Sequence, residues 1–130
     1  MDLIQKAKAA RLLAYTPYSK FKVGAAILLK DGTIIKGANI ENASYGLSNC
    51  AERSALFSLY SQGYKKSDIV EMAIVGQTSE PISPCGACRQ VMNELLPKDV
   101  KIHLANLEGK VKTVTIKDLL PYAFDEVENV

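Results

Sequence analysis

The sequence predicts an α/β fold on a mixed, mainly parallel five-stranded sheet, and three observations carry that prediction. Apolar segments in the middle of the chain run strand, helix, strand, helix, strand, an order that favours right-handed crossovers and parallel strands. A hairpin signal precedes that series and brings an antiparallel pair with it. Finally, 48% of the 130 residues are hydrophobic, which suits one layered core spanning a single domain, residues 1–130.

The elements follow from local pattern. Residues 2–14 set Leu3, Ile4, Ala7, Ala10, Leu13 and Ala14 at helical spacing, with Lys6, Lys8 and Arg11 between them. Tyr15-Thr16-Pro17-Tyr18-Ser19 breaks this helix. Residues 21–29 and 33–39 read as strands joined at Asp31-Gly32, an antiparallel hairpin. Residues 50–61 read as a helix with Ala51, Ala55, Leu56 and Leu59 on its apolar face and Gly63 as its stop. Residues 69–75 form a short buried strand, and residues 86–95 a helix closed by Pro97. Residues 100–105 and 110–115 are strands turning at Glu108-Gly109, and residues 117–120 one helical turn before Pro121.

Composition excludes several classes. The net charge is +2, from 16 basic and 14 acidic residues dispersed along the chain. A nucleic-acid partner would need a basic face or run; Lys65-Lys66 and Lys110-x-Lys112 are short and read as solvated surface. No apolar run reaches the ~18 residues of a membrane span. Met1-Asp2-Leu3-Ile4-Gln5-Lys6 lacks the apolar core of a secretory signal, so a reducing cytoplasm is expected. In that compartment an odd set of three cysteines points to metal binding or chemistry rather than disulfides.

Those cysteines lie in Asn49-Cys50-Ala51-Glu52-Arg53 and Pro84-Cys85-Gly86-Ala87-Cys88-Arg89, both at strand-to-helix junctions. Sites of α/β sheets form there, so two motifs 35 residues apart are expected to meet. Cys85 and Cys88, three apart at a helix start, share a face, and the helix N-terminus favours thiolate. With Cys50 they give one Zn²⁺ three ligands and leave a fourth position for water, the pattern of a catalytic site. His103 lies mid-strand; it is an ordinary strand residue, or the fourth ligand of a structural site. Glu52 is the candidate catalytic proton carrier for that water; alone, it would read as a first-turn glutamate complementing the helix dipole. Three thiolates around a divalent ion carry net negative charge, which Arg53 and Arg89 would relieve by donating to sulfur, unless they form surface salt bridges. Asn39 and Glu41 alternate at a strand end and point to one side, offering an amide and a carboxylate to a hydroxyl-rich ligand, or forming a polar strand end leading into a loop.

Cys50-Ala51-Glu52-Arg53 with Pro84-Cys85-Gly86-Ala87-Cys88-Arg89-Gln90 resembles the zinc signature of the small homotetrameric cytidine deaminases, in the cytidine/deoxycytidylate deaminase superfamily. Phe21-Lys22-Val23-Gly24-Ala25-Ala26 resembles the family's first strand and Asn39-Ile40-Glu41-Asn42-Ala43-Ser44-Tyr45 its substrate segment. The resemblance runs from Pro17 through Phe124, and Cys50 places the chain with the three-cysteine branch. It implies a three-layer α/β/α sandwich and one Zn²⁺ per subunit on Cys50, Cys85 and Cys88. The implied reaction is hydrolytic deamination of free cytidine and 2′-deoxycytidine in pyrimidine salvage. It also implies that Phe21 lines the base pocket, Asn39 and Glu41 bind ribose, Ala51 offers backbone contacts to the base, and Tyr45 and Phe124 reach in from neighbouring subunits. Three rivals stand beside it. A related deaminase would act on another amino-heterocycle, and a dithiol redox protein would work through Cys85 and Cys88 without zinc. A zinc-binding interaction module would be indifferent to Glu52→Gln.

Overall fold

Residues 23–29 are the most uniformly apolar stretch of the chain, and their place decides the sheet. In the computed structural model, which describes residues 2–123, strand β1 (Val23–Leu29) is buried along nearly its whole length on both faces. Such a strand needs a neighbour on each side and layers above and below. It lies between β2 (Ile34–Ala38) and β3 (Ile69–Gly76), and the sheet order is β2-β1-β3-β4-β5, with β4 Lys101–Asn106 and β5 Val111–Val114.

The five strands and the mixed sheet match the expectation, but the weight on parallel pairing does not hold. β1 is antiparallel to both β2 and β3, β4 is antiparallel to β5, and only the β3–β4 ladder is parallel. The physical reason is the position of the hairpin. β2, β3 and β4 do run the same way, as the crossover pattern requires, but β1 sits between β2 and β3. β2, with Lys36 exposed, takes the edge instead.

Helices complete three layers. α1 (Asp2–Arg11) covers one face, where Leu3 and Ala7 pack with Ala26, Ala73 and Val75. α2 (Ala51–Ser61), α3 (Gly86–Leu95) and the short α4 (Ile116–Leu119) cover the other, around Ile27, Met72, Ile74 and Ile102. Two glycines set the helix-to-sheet distance. A Cβ on Gly24 would lie 2.1 Å from the Ala7 carbonyl oxygen, and one on Gly37 would lie 2.4 Å from the Ala55 backbone nitrogen. α1 ends earlier than its periodicity suggests. The amides of Leu12, Leu13 and Ala14 bond to Ala9, Ala10 and Arg11, a tighter three-residue turn that swings Leu13 off the apolar face and leaves it 68% exposed.

His103 lies on the α1 face. Its Nδ1 pairs with Thr113 Oγ1 at 2.8 Å and its Nε2 with Glu71 Oε2 at 2.6 Å. Both ring nitrogens are engaged away from the cysteines, so His103 is a strand residue and not a ligand. The carboxyl ends of β2 and β3 and the start of β1 share one edge of the sheet, since Gly24 faces Ala38 and Val23 faces Gly76.

Gly37→Ala is expected to destabilise the protein by about 1–3 kcal/mol, because α2 has to lift off the sheet. Gly46→Ala, where nothing lies within 4 Å of an added Cβ, should change stability by less than about 0.5 kcal/mol. Urea unfolding of the two variants side by side checks the difference.

Candidate active site

Helices α2 and α3 both begin with a cysteine. Cys50 is the N-cap of α2 and Cys85 that of α3; each has extended backbone and makes no side-chain cap bond. N-caps favour Ser, Thr, Asp or Asn, whose oxygens accept from the first-turn amides. A sulfur at that position lies in the same positive field but is free to face elsewhere. Here the sulfurs face each other. Cys50 Sγ is 3.8 Å from Cys85 Sγ, Cys85 Sγ is 3.3 Å from Cys88 Sγ, and all three lie within 4.8 Å of one another. Cys88, in the first turn of α3, is fully buried.

Loop hydrogen bonds bring Cys50 to this point. Ile40 and Asn49 exchange two backbone bonds of 2.9 Å, and Tyr15 bonds to Asn39 and receives from Glu41, so the strand end and the start of α2 are tied together. Isolated thiols at these spacings would repel once ionised. The Cys88 thiol donates to Cys50, which lowers the Cys50 pKa to about 5 and raises that of Cys88; burial opposes ionisation of Cys50, and Arg53 supports it. Arg53 Nη2 reaches Cys50 Sγ at 3.5 Å, and this contact raises the arginine's own pKa. Its Nε is buried without a hydrogen-bond partner among the described residues.

This donor set fits zinc. Three sulfurs on a tetrahedron with Zn–S near 2.3 Å would be about 3.8 Å apart, close to the separations seen. Among the described residues the ligand cluster holds Cys50, Cys85 and Cys88 and no fourth His, Cys, Asp or Glu, so one position stays open. Glu52 follows in the first turn of α2 and is 4% exposed. Burial raises its pKa to about 6, and the charge on Cys50 adds to the rise. A carboxyl held near neutrality can both take and give a proton.

A cavity of about 290 Å³ opens onto this cluster, close to the size range of small-molecule sites. Phe21, Asn39, Cys50, Ala51, Glu52 and Cys85 line it, as the sequence led one to expect. Val23, Thr78, Ile82, Ser83 and Pro84 line it too, and sequence reasoning missed them. Pro84 alone carried a signal, as the residue before Cys85.

Not every predicted residue joins this set. Glu41 is not among the lining residues: its Oε1 accepts from the amides of Tyr18 and Ser19, both at 3.1 Å, and its Oε2 bonds to the Ser19 hydroxyl. Tyr45 is 79% exposed and outside the cavity, and Phe124 lies outside the described residues. Arg89 does not reach a sulfur. Its guanidinium donates to Pro84 O, Leu119 O and Ser83 Oγ, which corrects its expected part in relieving thiolate charge. Asn39 already holds the strand entry, its Oδ1 accepting from Val23 N and its Nδ2 donating to Phe21 O.

The family described as "Cytidine and deoxycytidylate deaminase zinc-binding region" matches residues 1–104, a span holding both cysteine blocks and Glu52. The chain belongs to this family. A cytidine deaminase of Halalkalibacterium halodurans is 59% identical over 122 residues, covering 94% of this chain and 91% of that protein. One of Sporosarcina psychrophila is 48% identical, covering 95% and 90%. The crystal structure of cytidine deaminase from Burkholderia pseudomallei superposes with a TM-score of 0.92 at 54% identity, covering 95% of this chain and 97% of that one. Within this family of zinc-binding deaminases, the three sulfurs form a cluster compatible with a zinc site, and the fold is the α/β fold of its structural neighbours.

The buried Glu52 predicts a pH signature in metal-free protein. Its folded pKa, about 6, lies above the ordinary 4.5, so the folded state holds the proton more tightly. The favourable contribution is complete below pH 4.5 and is lost as pH rises through 6, about 2 kcal/mol in all. Metal-free Glu52→Gln should therefore be more stable than wild type by about 2 kcal/mol at pH 8 and equal to it near pH 4, measured by urea unfolding across pH. Equal stabilities at pH 8 would contradict the burial of an ionised carboxylate.

Proposed function

We propose that the chain catalyses hydrolytic deamination of free cytidine and 2′-deoxycytidine, giving uridine or 2′-deoxyuridine and ammonia, in cytoplasmic pyrimidine salvage. The observation that carries this is the buried Glu52 beside three convergent sulfurs at the end of a cavity of nucleoside scale. The relatives' shared activity supports the substrate class.

Cys50, Cys85 and Cys88 would hold a zinc ion, which would supply Lewis acidity and lower the pKa of water toward neutrality. Glu52 takes one proton from the water that attacks C4 and passes it to N3; it then takes the remaining proton from the hydroxyl now on C4 and gives it to the departing amine, so that C4=O forms as the C4–N bond breaks. Burial serves both halves of that task, since it weakens the acid enough to regain a proton. Arg53 withdraws charge from Cys50 and keeps the thiolate set from quenching the metal's acidity. Phe21 walls the base, and the backbone at Ala51 offers contacts to its polar edge. Asn39 keeps one N–H and one lone pair after holding Phe21 and Val23, and Glu41 keeps acceptor capacity after capping the turn at Tyr18 and Ser19. A ribose hydroxyl pair takes up that remainder. Homotetrameric assembly brings Tyr45 and Phe124 of neighbouring subunits to complete each site. The exposure of Tyr45 in the single chain accords with that role.

Purified protein should convert cytidine, followed by ultraviolet absorbance, with one zinc per chain on the same sample. Glu52→Gln should keep its zinc and lose about 10²–10⁴-fold in rate. Zinc without turnover of cytidine or deoxycytidine would move the substrate to another amino-heterocycle. Thiol–disulfide exchange by metal-free protein, with no turnover of cytidine, would favour the dithiol redox reading. Arg53→Ala should hold zinc and lose rate; an unchanged rate removes its tuning role. Light scattering should give four times the 14.2 kDa chain mass, and a stable monomer would overturn the shared site.

A further inference from the structure

We propose that Arg89 is a positioning residue of the metal site, locking the segment that delivers Cys85 to the body of the protein. The guanidinium is spent on three acceptors: Nε donates to Pro84 O at 2.8 Å, Nη1 to Leu119 O at 2.8 Å and Nη2 to Ser83 Oγ at 2.7 Å. Two of these sit immediately before Cys85. The third is a carbonyl at the end of α4, one of the acceptors a helix C-terminus leaves without an internal partner.

The geometry explains why an arginine is needed. Gly76 ends β3 and Cys85 caps α3, so the strand-to-helix connection between them has no ladder of its own. Ile82, Ser83 and Pro84 of this connection form one wall of the 290 Å³ cavity. Behind Ile82 and Ser83 lies a larger hollow of about 670 Å³ that holds neither Glu52 nor a cysteine, and Arg89 lines it. Ile82 and Ser83 thus border both hollows, and Arg89, at the lining of the larger one, reaches α4 through Leu119 O. A planar fork with donors pointing in several directions can hold a side-chain oxygen and two backbone carbonyls at once; an ammonium on a flexible stem cannot hold the same fixed arrangement. Arg89 is itself anchored, because its own amide closes the first turn of α3 on Cys85 O at 3.0 Å. The residue thus holds Cys85 from the helix side and its approach from the loop side. Arg53 contacts sulfur and acts through charge; Arg89 contacts no sulfur and acts through shape.

The inference rests on the zinc site proposed above, so zinc content of the wild type is measured first; wild-type protein that binds no zinc overturns both. Arg89→Lys keeps the charge and loses the fork, and Arg89→Ala loses both. Zinc release to a chromogenic chelator is the readout, since it needs no substrate. Both variants should load one zinc and release it about 10–100-fold faster than wild type, in line with the effect of losing a partner that orients ligands. KM for cytidine should rise in both, because Ser83 and Pro84 wall the cavity. Ser83→Ala removes one of the three bonds with little risk to folding and should accelerate release by a smaller factor. Release from Arg89→Lys at the wild-type rate, with Arg89→Ala fast, would mean that charge and not geometry matters and would overturn the proposal. Wild-type release rates in Arg89→Ala or in Ser83→Ala would overturn it as well. If Arg89→Ala does not fold, Arg89→Lys and Ser83→Ala decide.

Discussion

Everything at this site depends on two helices starting at the same edge of one sheet, each with a sulfur where a capping oxygen normally stands. Cys50 and Cys85 occupy N-caps, so the positive ends of α2 and α3 converge on a place that collects negative charge. That convergence makes a cluster of thiolates tolerable and lets a carboxyl be buried beside it. If either helix moved by part of a turn, the sulfurs would no longer face one another. The close approach of α2 to β2 at Gly37 therefore matters to the chemistry as much as to the core.

The residues divide by face. On the α2 and α3 side, the alternation of β1, β3 and β4 supplies large aliphatic groups, and the polar groups gather at the sheet's edge. On the α1 side, the residues are smaller, and the polar cluster of Glu71, His103 and Thr113 satisfies itself internally. The chain's one histidine, a metal ligand in many proteins, is thus held by side chains of the strands on either side of β4, on the opposite face of the sheet from the sulfurs.

Much of this was legible in the sequence because it is local. Helical spacing, the turn signals at Asp31-Gly32 and Glu108-Gly109, and the two cysteine blocks depend on residues a few positions apart, and they fixed element boundaries to within a few residues. What was not legible depends on contacts between distant segments. The weight on parallel pairing does not hold because β1 inserts between two strands joined by a crossover, and no spacing in the chain records which strand lies beside which. Leu13 was misassigned because a tightened turn rotates a side chain without altering its type. Arg89 follows a ligand as Arg53 follows Glu52, yet the two long side chains point to different partners, and only the packed structure separates a sulfur neighbour from a carbonyl neighbour. Glu41 is half-occupied by a turn more than 20 residues upstream in sequence, a demand invisible at its own position.

The ligands are unequal in how they come together. Cys85 and Cys88 are three residues apart in any conformation, folded or not, and already form a chelating pair in the unfolded chain. Cys50 is brought to them by long-range structure, with α2 packed on a sheet in which β1 lies between β2 and β3. The stabilisation that metal confers is the difference between its affinity for three sulfurs and its affinity for two, because binding to the unfolded chain subtracts from the gain. Cys50 is therefore the ligand through which the ion senses folding, and the completed sheet is what turns a weak local chelate into a resident centre.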